Sequence, residues 1–207
     1  MKSGPSSRTA MLFLAAGASR RMGRSKALLP WKGTTVIGHH FRLLSALATI
    51  DPWVVTQADD QPLFAELDAI GWPAERRVVN PLAPDCDMLE SIRRGVRGML
   101  ASETPYHALG IALTDQVLTR SSTFEQLEIQ ARRSSLGILQ PEHQTQRGHP
   151  VLLSRAIAEE LRDYAGESFK HFLEEHETAR ATAPLDDEGV ARDMDTPEQY
   201  QEQLLIT

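Results

Sequence analysis

The sequence predicts an α/β fold, a three-layer sandwich in which helices pack on both faces of a mostly parallel sheet. Apolar runs of three to six residues alternate with helical patterns almost from end to end. Strands that alternate with helices are typical of parallel sheets, because each crossover helix returns the chain to the same edge. In such sheets ligands bind beyond the carboxyl ends of the strands, so we expect functional residues directly after strands.

The predicted strands are apolar and too short to be helices. The first, residues 11–16, is followed by a glycine, and the fourth, residues 108–113, is followed by Thr-Asp-Gln. The full set is residues 11–16, 53–56, 77–79, 108–113, 136–139 and 151–153.

The predicted helices repeat apolar residues at intervals of three and four, which puts these residues on one face. In the first helix the apolar positions are Val36, Ile37, Phe41, Leu44 and Leu47. The full set is residues 35–48, 62–70, 89–100, 121–133, 155–164, 167–175 and 197–205.

Length and composition fit one domain. Chains divide into several domains mostly beyond about 250–300 residues, so we expect one domain over residues 1–207, with residues 1–10 a flexible N-terminal extension. The single cysteine, Cys86, excludes an internal disulfide framework and fits a reducing compartment. No apolar run approaches the roughly 18 residues of a membrane span, and the N-terminus lacks the apolar core of a signal peptide. We expect a soluble, cytoplasmic protein without a membrane partner.

Charge is distributed unevenly along the chain. The net charge is −6, yet residues 1–50 contain eight Lys or Arg and no acidic residue. Five of these cations lie within residues 20–32. A local cationic loop on an acidic protein suits a small polyanion such as a nucleoside triphosphate. A nucleic-acid surface would be basic over a broader area, so we expect no nucleic-acid partner.

The cationic residues belong to a glycine-rich loop that follows the first predicted strand. Gly17 and Gly23 allow backbone N–H groups to approach phosphate oxygens, and Arg21 and Lys26 supply positive charge. A P-loop is excluded because Gly23 is not followed directly by Lys-Ser or Lys-Thr. A dinucleotide fingerprint is excluded because the second glycine of G-x-G-x-x-G is missing.

Residues 14–31, LAAGASRRMGRSKALLPW, resemble the signature L-A-A-G-x-S-x-R-M-G-x-x-K-x-L-L-P-W of the MobA-like nucleotidyltransferases, and more narrowly the molybdenum cofactor cytidylyltransferases. The resemblance implies a fold like that of the nucleotide-diphospho-sugar transferases, which is Rossmann-like. Weaker motifs of the family recur in order at residues 91–95, 113–116, 147–150 and 193–198.

The resemblance also implies roles for individual residues around the nucleotide. Arg21 and Lys26 would stabilise phosphate charge during catalysis, and Ser91 would contact the base. The implied nucleotide-binding set is Leu14, Ala15, Ala16, Gly17, Arg21, Gly23, Lys26 and Ser91.

Nucleotidyl transfer calls for Mg²⁺, which is held by one or two carboxylates and keeps its other positions for phosphate and water. Two Asp-Gln pairs offer candidates, at Asp60 and at Asp115. We choose Asp115, which ends a predicted buried strand in the family's order, and expect Asp60 to be a loop carboxylate. The resemblance implies Asp195 as the second metal ligand. Alternatively Asp195 or Thr196 caps the last helix.

On the acceptor side the resemblance implies contacts from His149, within Arg-Gly-His-Pro, and from Lys170, the one cation in a shortened family stretch. The sequence departs from the family near the base, where Asp87 and Glu90 stand in a loop that usually carries small residues. We expect both carboxylates to add negative charge there.

Two other features carry no predicted role. His39 and His40 are adjacent on a predicted helix, so they point in different directions and make a poor pair of metal ligands. Cys86 has acidic neighbours, which raise rather than lower the pKa of a thiol. We therefore do not expect Cys86 to be a nucleophile.

The resemblance implies transfer of CMP from CTP to phosphorylated molybdopterin, with release of pyrophosphate. The partners would be a nucleoside triphosphate, a phosphorylated pterin and a client molybdoenzyme. CTP is favoured over GTP because the methyl group of Ala16 narrows the space where the guanosine-using branch more often has glycine. Two alternatives stay open: another phosphorylated acceptor, such as a sugar or polyol phosphate, and a non-catalytic escort that binds a nucleotide or pterin.

Overall fold

A mixed eight-stranded sheet lies at the centre of the computed structural model, which describes residues 8–17, 22, 24–133 and 137–206. The strands are β1 (Arg8–Leu14), β2 (Pro30–Trp31), β3 (Thr34–Thr35), β4 (Ile50–Gln57), β5 (Arg77–Asn80), β6 (Tyr106–Leu113), β7 (Ile138–His143), β8 (Gln146–Arg147), β9 (Val151–Ser154) and β10 (Arg180–Pro184). The sheet order is β10-β7-β9-β6-β1-β4-β5, with β8 beside β7 and a separate β2-β3 hairpin. Among the described strands of this sheet, only β8 and β9 are antiparallel to the others. The prediction of a mostly parallel sheet is therefore confirmed.

Seven helices surround the sheet in the described part of the chain. They are α1 (Val36–Ser45), α2 (Gln61–Ala69), α3 (Met88–Ala101), α4 (Ser121–Arg133), α5 (Arg155–Asp163), α6 (Phe169–Glu175) and α7 (Pro197–Leu204). Each predicted helix is present, with its ends within three residues of the prediction. Six helices follow an N-cap residue whose side chain accepts a hydrogen bond from a backbone N–H of the first turn. These residues are Thr35, Asp60, Asp87, Ser154, Ser168 and Thr196. None of the described helices combines the length and the apolar character that crossing a membrane requires.

The helices form two layers because successive side chains of a strand point to opposite faces. On β1, Leu12 packs in the apolar core shared with α3, α5 and α6, whereas Phe13 packs in the core shared with α1, α2 and α4. The predicted three-layer sandwich is therefore confirmed.

The first strand begins earlier than predicted. The guanidinium group of Arg8 donates from Nε to Asp51 Oδ2 at 2.8 Å, and its Nη2 forms an ion pair with the same carboxylate. Thr9 and Ala10 are fully buried. The predicted flexible extension over residues 1–10 is thus wrong for residues 8–10, which pairing with β4 and β6 holds in the sheet.

Four short or polar strands were not predicted. The strands β2, β3 and β8 have two residues each, which is too few for a periodic pattern. The edge strand β10 contains a proline and is only partly buried. The strand predicted over residues 136–139 is observed as β7, which extends into polar sequence because residues 140–143 pair with β10 and β8.

A third apolar cluster fixes the C-terminal helix to the first third of the chain. It joins Trp31 and Val36 to Val117, Met194 and Tyr200. The hydroxyl group of Tyr200 also donates to the Pro30 carbonyl at 2.7 Å. This contact brings the segment before α7 to the same end of the sheet as the loops after β1 and β6.

Candidate active site

A cavity of about 480 Å³ opens at the carboxyl ends of β1 and β6. Leu14 and Leu113 are register partners at the ends of these parallel strands, so the residues that follow them emerge side by side. Residues 14–17, 25–27 and 113–115 line one part of the cavity together with Asp195. Residues 83–84, 86–88 and Ser91 line the opposite wall. This is the position that an open α/β sheet offers to a ligand.

The segment after β1 presents backbone to the cavity. Ala15 and Ala16 are buried, and the Ala15 N–H donates to the Val55 carbonyl at 3.0 Å. A Cβ added at Gly17 would meet no atom of the described residues within 4 Å, so packing within this part of the chain does not demand glycine at this position. Instead, glycine leaves the adjacent cavity space open to a ligand.

Lys26 lies between the two predicted metal carboxylates. Its Nζ is 2.7 Å from Oδ2 of Asp115 and 2.6 Å from Oδ1 of Asp195. Lys26 begins a short 3-10 helix, Asp115 follows the end of β6, and Asp195 precedes the cap of α7. Three segments that are distant in sequence therefore bring one cation and two anions together inside the cavity.

Burial and neighbouring charges have opposing effects on the pKa values in this cluster. Burial lowers the pKa of Lys26, but the carboxylates of Asp115 and Asp195 outweigh burial, so the pKa is raised and the amine stays protonated. Burial raises the pKa of Asp115, and the nearby Asp193 and Asp195 add to this effect against the opposing Lys26 ammonium. The pKa values of Lys26 and Asp115 therefore depend on the charges beside them.

The donor set fits a magnesium ion that keeps phosphate and water ligands. Such an ion needs only one or two protein carboxylates, and Asp115 and Asp195 supply two within reach of one ammonium group. Across the part of the chain that the structure describes, no three His, Cys, Asp or Glu side chains form a complete metal cage.

The two Asp-Gln motifs are separated by the structure. Asp60 caps α2, where its Oδ1 accepts from the Leu63 N–H at 3.1 Å, and it does not line the cavity. Thr196, rather than Asp195, caps α7 and forms a capping box with Gln199. The carboxylate of Asp195 is consequently oriented toward Lys26.

The opposite wall contains one of the two predicted acidic residues. Asp87 caps α3 and lines the cavity. Glu90 does not, because its carboxylate pairs along the helix with Arg94 at 2.7 Å and Arg93 at 3.7 Å. The prediction that Glu90 adds negative charge beside a base is therefore wrong.

Ser91 reaches the cavity with support that the sequence did not reveal. The buried Asn80, at the end of β5, donates from Nδ2 to Ser91 Oγ at 2.9 Å and to Cys86 Sγ at 3.2 Å. Asn80 could have been found as the polar residue that directly follows a predicted strand. Its amide orders the wall from β5 to α3.

The predicted acceptor residues lie outside the cavity lining. Lys170 has an 86% exposed side chain 3.8 Å from Glu174, because α6 directs Phe169, Phe172 and Leu173 into the core instead. His149 donates from Nδ1 to the Ile111 carbonyl at 3.1 Å, and burial lowers the pKa of its imidazole. Neither side chain lines the cavity, and the acceptor roles of Lys170 and His149 stay predictions.

Arg21 and Gly23 lie outside the described residues, so the structure places neither. The other predicted nucleotide contacts line the cavity, namely Leu14, Ala15, Ala16, Gly17, Lys26 and Ser91.

Comparison with known proteins identifies the domain type. The family model of the MobA-like NTP transferase domain matches residues 11–180. A search of curated proteins by sequence finds no significant match.

Solved structures share this fold over nearly the whole chain. A homolog of Mycobacterium tuberculosis Rv0371c from Mycobacterium sp. strain JC1 is 24% identical, with a TM-score of 0.75 and coverage of 97% of this chain and 96% of that chain. CMP:2-keto-3-deoxy-manno-octonic acid synthetase in complex with CTP is 16% identical, with a TM-score of 0.71. The match covers 96% of this chain and 97% of that chain. Molybdopterin-guanine dinucleotide biosynthesis protein A from Archaeoglobus fulgidus is 16% identical, with a TM-score of 0.67. The match covers 93% of this chain and 95% of that chain.

Proposed function

The chain belongs to the MobA-like NTP transferase family, and from this premise we propose that it transfers CMP from CTP to phosphorylated molybdopterin with release of pyrophosphate. The observation that carries the proposal is the position of Lys26 between Asp115 and Asp195, inside a cavity bordered by the glycine-rich loop. A polyphosphate and a divalent cation are the ligands that such a cluster suits.

The nucleotide would lie along the segment after β1. Residues 14–17 offer backbone to the base and phosphates, and Ser91 and Asp87 face them from the opposite wall. The cavity volume of about 480 Å³ falls within the range of roughly 300–1,000 Å³ that small-molecule sites occupy. We propose that Arg21 and Gly23 complete the phosphate site.

The reaction needs no nucleophile from the protein. An oxygen of the acceptor's phosphate attacks the α-phosphorus of CTP and forms a new P–O bond. The bond from the α-phosphorus to the bridging oxygen breaks, and pyrophosphate leaves with that electron pair. Lys26 would stabilise the negative charge on the phosphate oxygens, an effect that is strong where water is excluded.

Asp115 and Asp195 would hold Mg²⁺, whose chemistry is to neutralise phosphate charge and orient the phosphates. The positions of the two carboxylates support this proposal, because both lie at one ammonium group inside the cavity, 2.7 Å and 2.6 Å from its Nζ.

The base preference rests on the segment after β1. Ala16 is 4% exposed and lines the cavity, so its methyl group limits the depth available to a base. We propose that CTP is preferred over GTP by about 1–3 kcal/mol, the usual scale for one misfitting group in a pocket. The fold does not decide the base, since both a CTP-binding and a guanine dinucleotide protein share it.

A different phosphorylated acceptor is a second candidate, and one observation favours it. Neither Lys170 nor His149, the two residues expected to contact the acceptor, lines the cavity. A sugar or polyol phosphate would need fewer contacts than a pterin. A third candidate function is a non-catalytic escort that binds a nucleotide or pterin. We also propose a client molybdoenzyme as a partner.

Release of pyrophosphate tests these alternatives directly. The full chain is mixed with Mg²⁺ and each of CTP, GTP, ATP and UTP, and with phosphorylated molybdopterin, a sugar 1-phosphate or a polyol phosphate. We expect pyrophosphate only with CTP and the pterin, and none from Asp115→Asn. Release with a sugar or polyol phosphate alone would replace the acceptor, and binding of CTP without release in every mixture would establish an escort.

A further inference from the structure

Two adjacent histidines of α1 connect this helix to the loop that carries Asp115, His40 directly and His39 through Trp31. His40 is 1% exposed, and its Nε2 lies 3.0 Å from the Thr114 carbonyl oxygen. Because a carbonyl oxygen only accepts, Nε2 carries the hydrogen and donates. The His40 ring also stacks on Phe13 of β1, with 4.5 Å between ring centroids, which fixes its orientation.

His39 is connected to the same loop on the other side of Asp115 through Trp31. Its ring packs against the edge of Trp31 with 6.2 Å between ring centroids, and Trp31 belongs to the same apolar cluster as Val117. Residues 114 and 117 are thus both connected to α1, and Asp115 lies between them.

Thr114 connects this loop to the segment after β1. Its hydroxyl group donates to the Leu14 carbonyl at 2.7 Å, while its own carbonyl accepts from His40. One residue therefore links α1, the carboxylate loop and the start of the glycine-rich segment.

A fully buried imidazole is costly where only packing is needed. Transfer of a polar group from water to an apolar interior is unfavourable unless its hydrogen bonds are replaced, and Nδ1 of His40 has no hydrogen-bond partner among the described residues. An aliphatic residue would fill the space between α1 and β1 without that cost. The polar ring must therefore contribute something besides packing, and the contact that it makes is to the loop of Asp115.

We propose that His39 and His40 are positioning residues that hold the loop of residues 114–117 so that Asp115 faces Asp195 across Lys26. This inference rests on the proposed function, in which Asp115 and Asp195 hold the metal ion. Loss of the His40 hydrogen bond should weaken metal binding about tenfold, the lower end of the 10–100-fold effect of residues that orient metal ligands.

Variants at His40 test the inference. The affinity of the full chain for Mn²⁺ is measured by calorimetry in the presence of CTP. His40→Leu removes the donor at similar size, whereas His40→Gln keeps an amide N–H at a similar reach. We expect His40→Leu to weaken Mn²⁺ binding about tenfold and His40→Gln to restore most of it. If His40→Leu does not fold, His40→Asn, whose amide is shorter, is compared with His40→Gln, and equal affinities would overturn the inference.

His107 provides a matched control at the other end of the sheet. Its Nδ1 bonds to the Arg8 carbonyl at 3.0 Å, so His107→Leu also removes a histidine bond to a backbone carbonyl. We expect His107→Leu to lower the melting temperature without changing Mn²⁺ affinity.

The variant Asp115→Asn separates this inference from the proposed function. Unchanged Mn²⁺ affinity in that variant rejects the metal role of Asp115. Weakened affinity there with normal affinity in His40→Leu rejects only the role of the histidines.

Discussion

Gln116 donates from Nε2 to Oδ1 of Asp193 at 2.9 Å and thereby joins the loop of Asp115 to the segment of Asp195. The amide of Gln203 on α7 donates to the Asp193 carbonyl at 3.0 Å and holds the same segment from behind. The two candidate metal ligands are therefore connected through their neighbours as well as through Lys26. The glutamine of the Asp-Gln motif has a structural reason for following the aspartate.

Lys26→Ala should have opposite effects on turnover and on metal binding. Turnover should fall by roughly 10²-fold or more, the scale of losing one charge-stabilising donor. Binding of Mn²⁺ without nucleotide should become tighter, because the ammonium no longer competes for Asp115 and Asp195. Steady-state kinetics and Mn²⁺ titration measure both effects.

Lys32→Ala is the control for this experiment. Lys32 is exposed, and its Nζ donates to the Ile206 carbonyl at 2.9 Å, outside the cavity. Both quantities should stay unchanged in this variant. Near-normal turnover in folded Lys26→Ala would remove Lys26 from the mechanism.

Asp115→Asn should abolish most magnesium-dependent turnover, whereas Asp60→Asn should leave it nearly intact. A neutral amide is a poorer ligand for a hard cation than a carboxylate. Asparagine is as good a helix cap as aspartate, so Asp60→Asn should also preserve the stability of α2. Turnover as a function of Mg²⁺ concentration compares the variants, and the reverse ranking would show that Asp60 is the functional carboxylate.

Nucleotide should protect Cys86 from alkylation. This cysteine is partly exposed and lines the cavity, and because the chain has no other cysteine the labelling stoichiometry reports on one site. We expect Mg·CTP to slow labelling by iodoacetamide several-fold at saturating concentration.

The control for labelling carries Cys86→Ser together with Glu125→Cys, an exposed position on α4. Labelling at that position should not respond to nucleotide. If Cys86 labels at the same rate with and without saturating Mg·CTP, the base and phosphates are not bound beside this wall.

Acid should destabilise the protein through His40. Burial lowers the pKa of His40 to about 3, whereas its ordinary value is 6.5. Between these values the unfolded chain binds a proton that the folded chain does not, so stability falls as the pH falls. For this group the loss is about 2 kcal/mol between pH 7 and pH 5.

Urea unfolding of the native chain and of His40→Leu at pH 7 and pH 5 measures this contribution. The native chain should lose more stability on acidification than the variant, by about 2 kcal/mol. Equal losses in the two proteins would show that His40 titrates normally in the folded state.

The order of the elements could be predicted because apolar periodicity identifies buried strands and helices such as β6 and α3. The choice of Asp115 over Asp60 followed from the strand that precedes it. The roles of His40 and Gln116 could not be predicted, since their partners lie 74 and 77 positions away. The exposure of Lys170 depends on which face of α6 is buried, and a motif match contains no such information.

The attachment of α7 through its own small apolar cluster affects how the site responds to heat. This cluster is separate from the two large cores that enclose the sheet, and regions with few buried contacts open at lower free energy than the global unfolding transition. Opening of this segment would carry Asp195 away while β1 and β6 stay paired. Amide hydrogen exchange in α7 would then rise, and metal affinity would fall, at temperatures below the melting point of the domain.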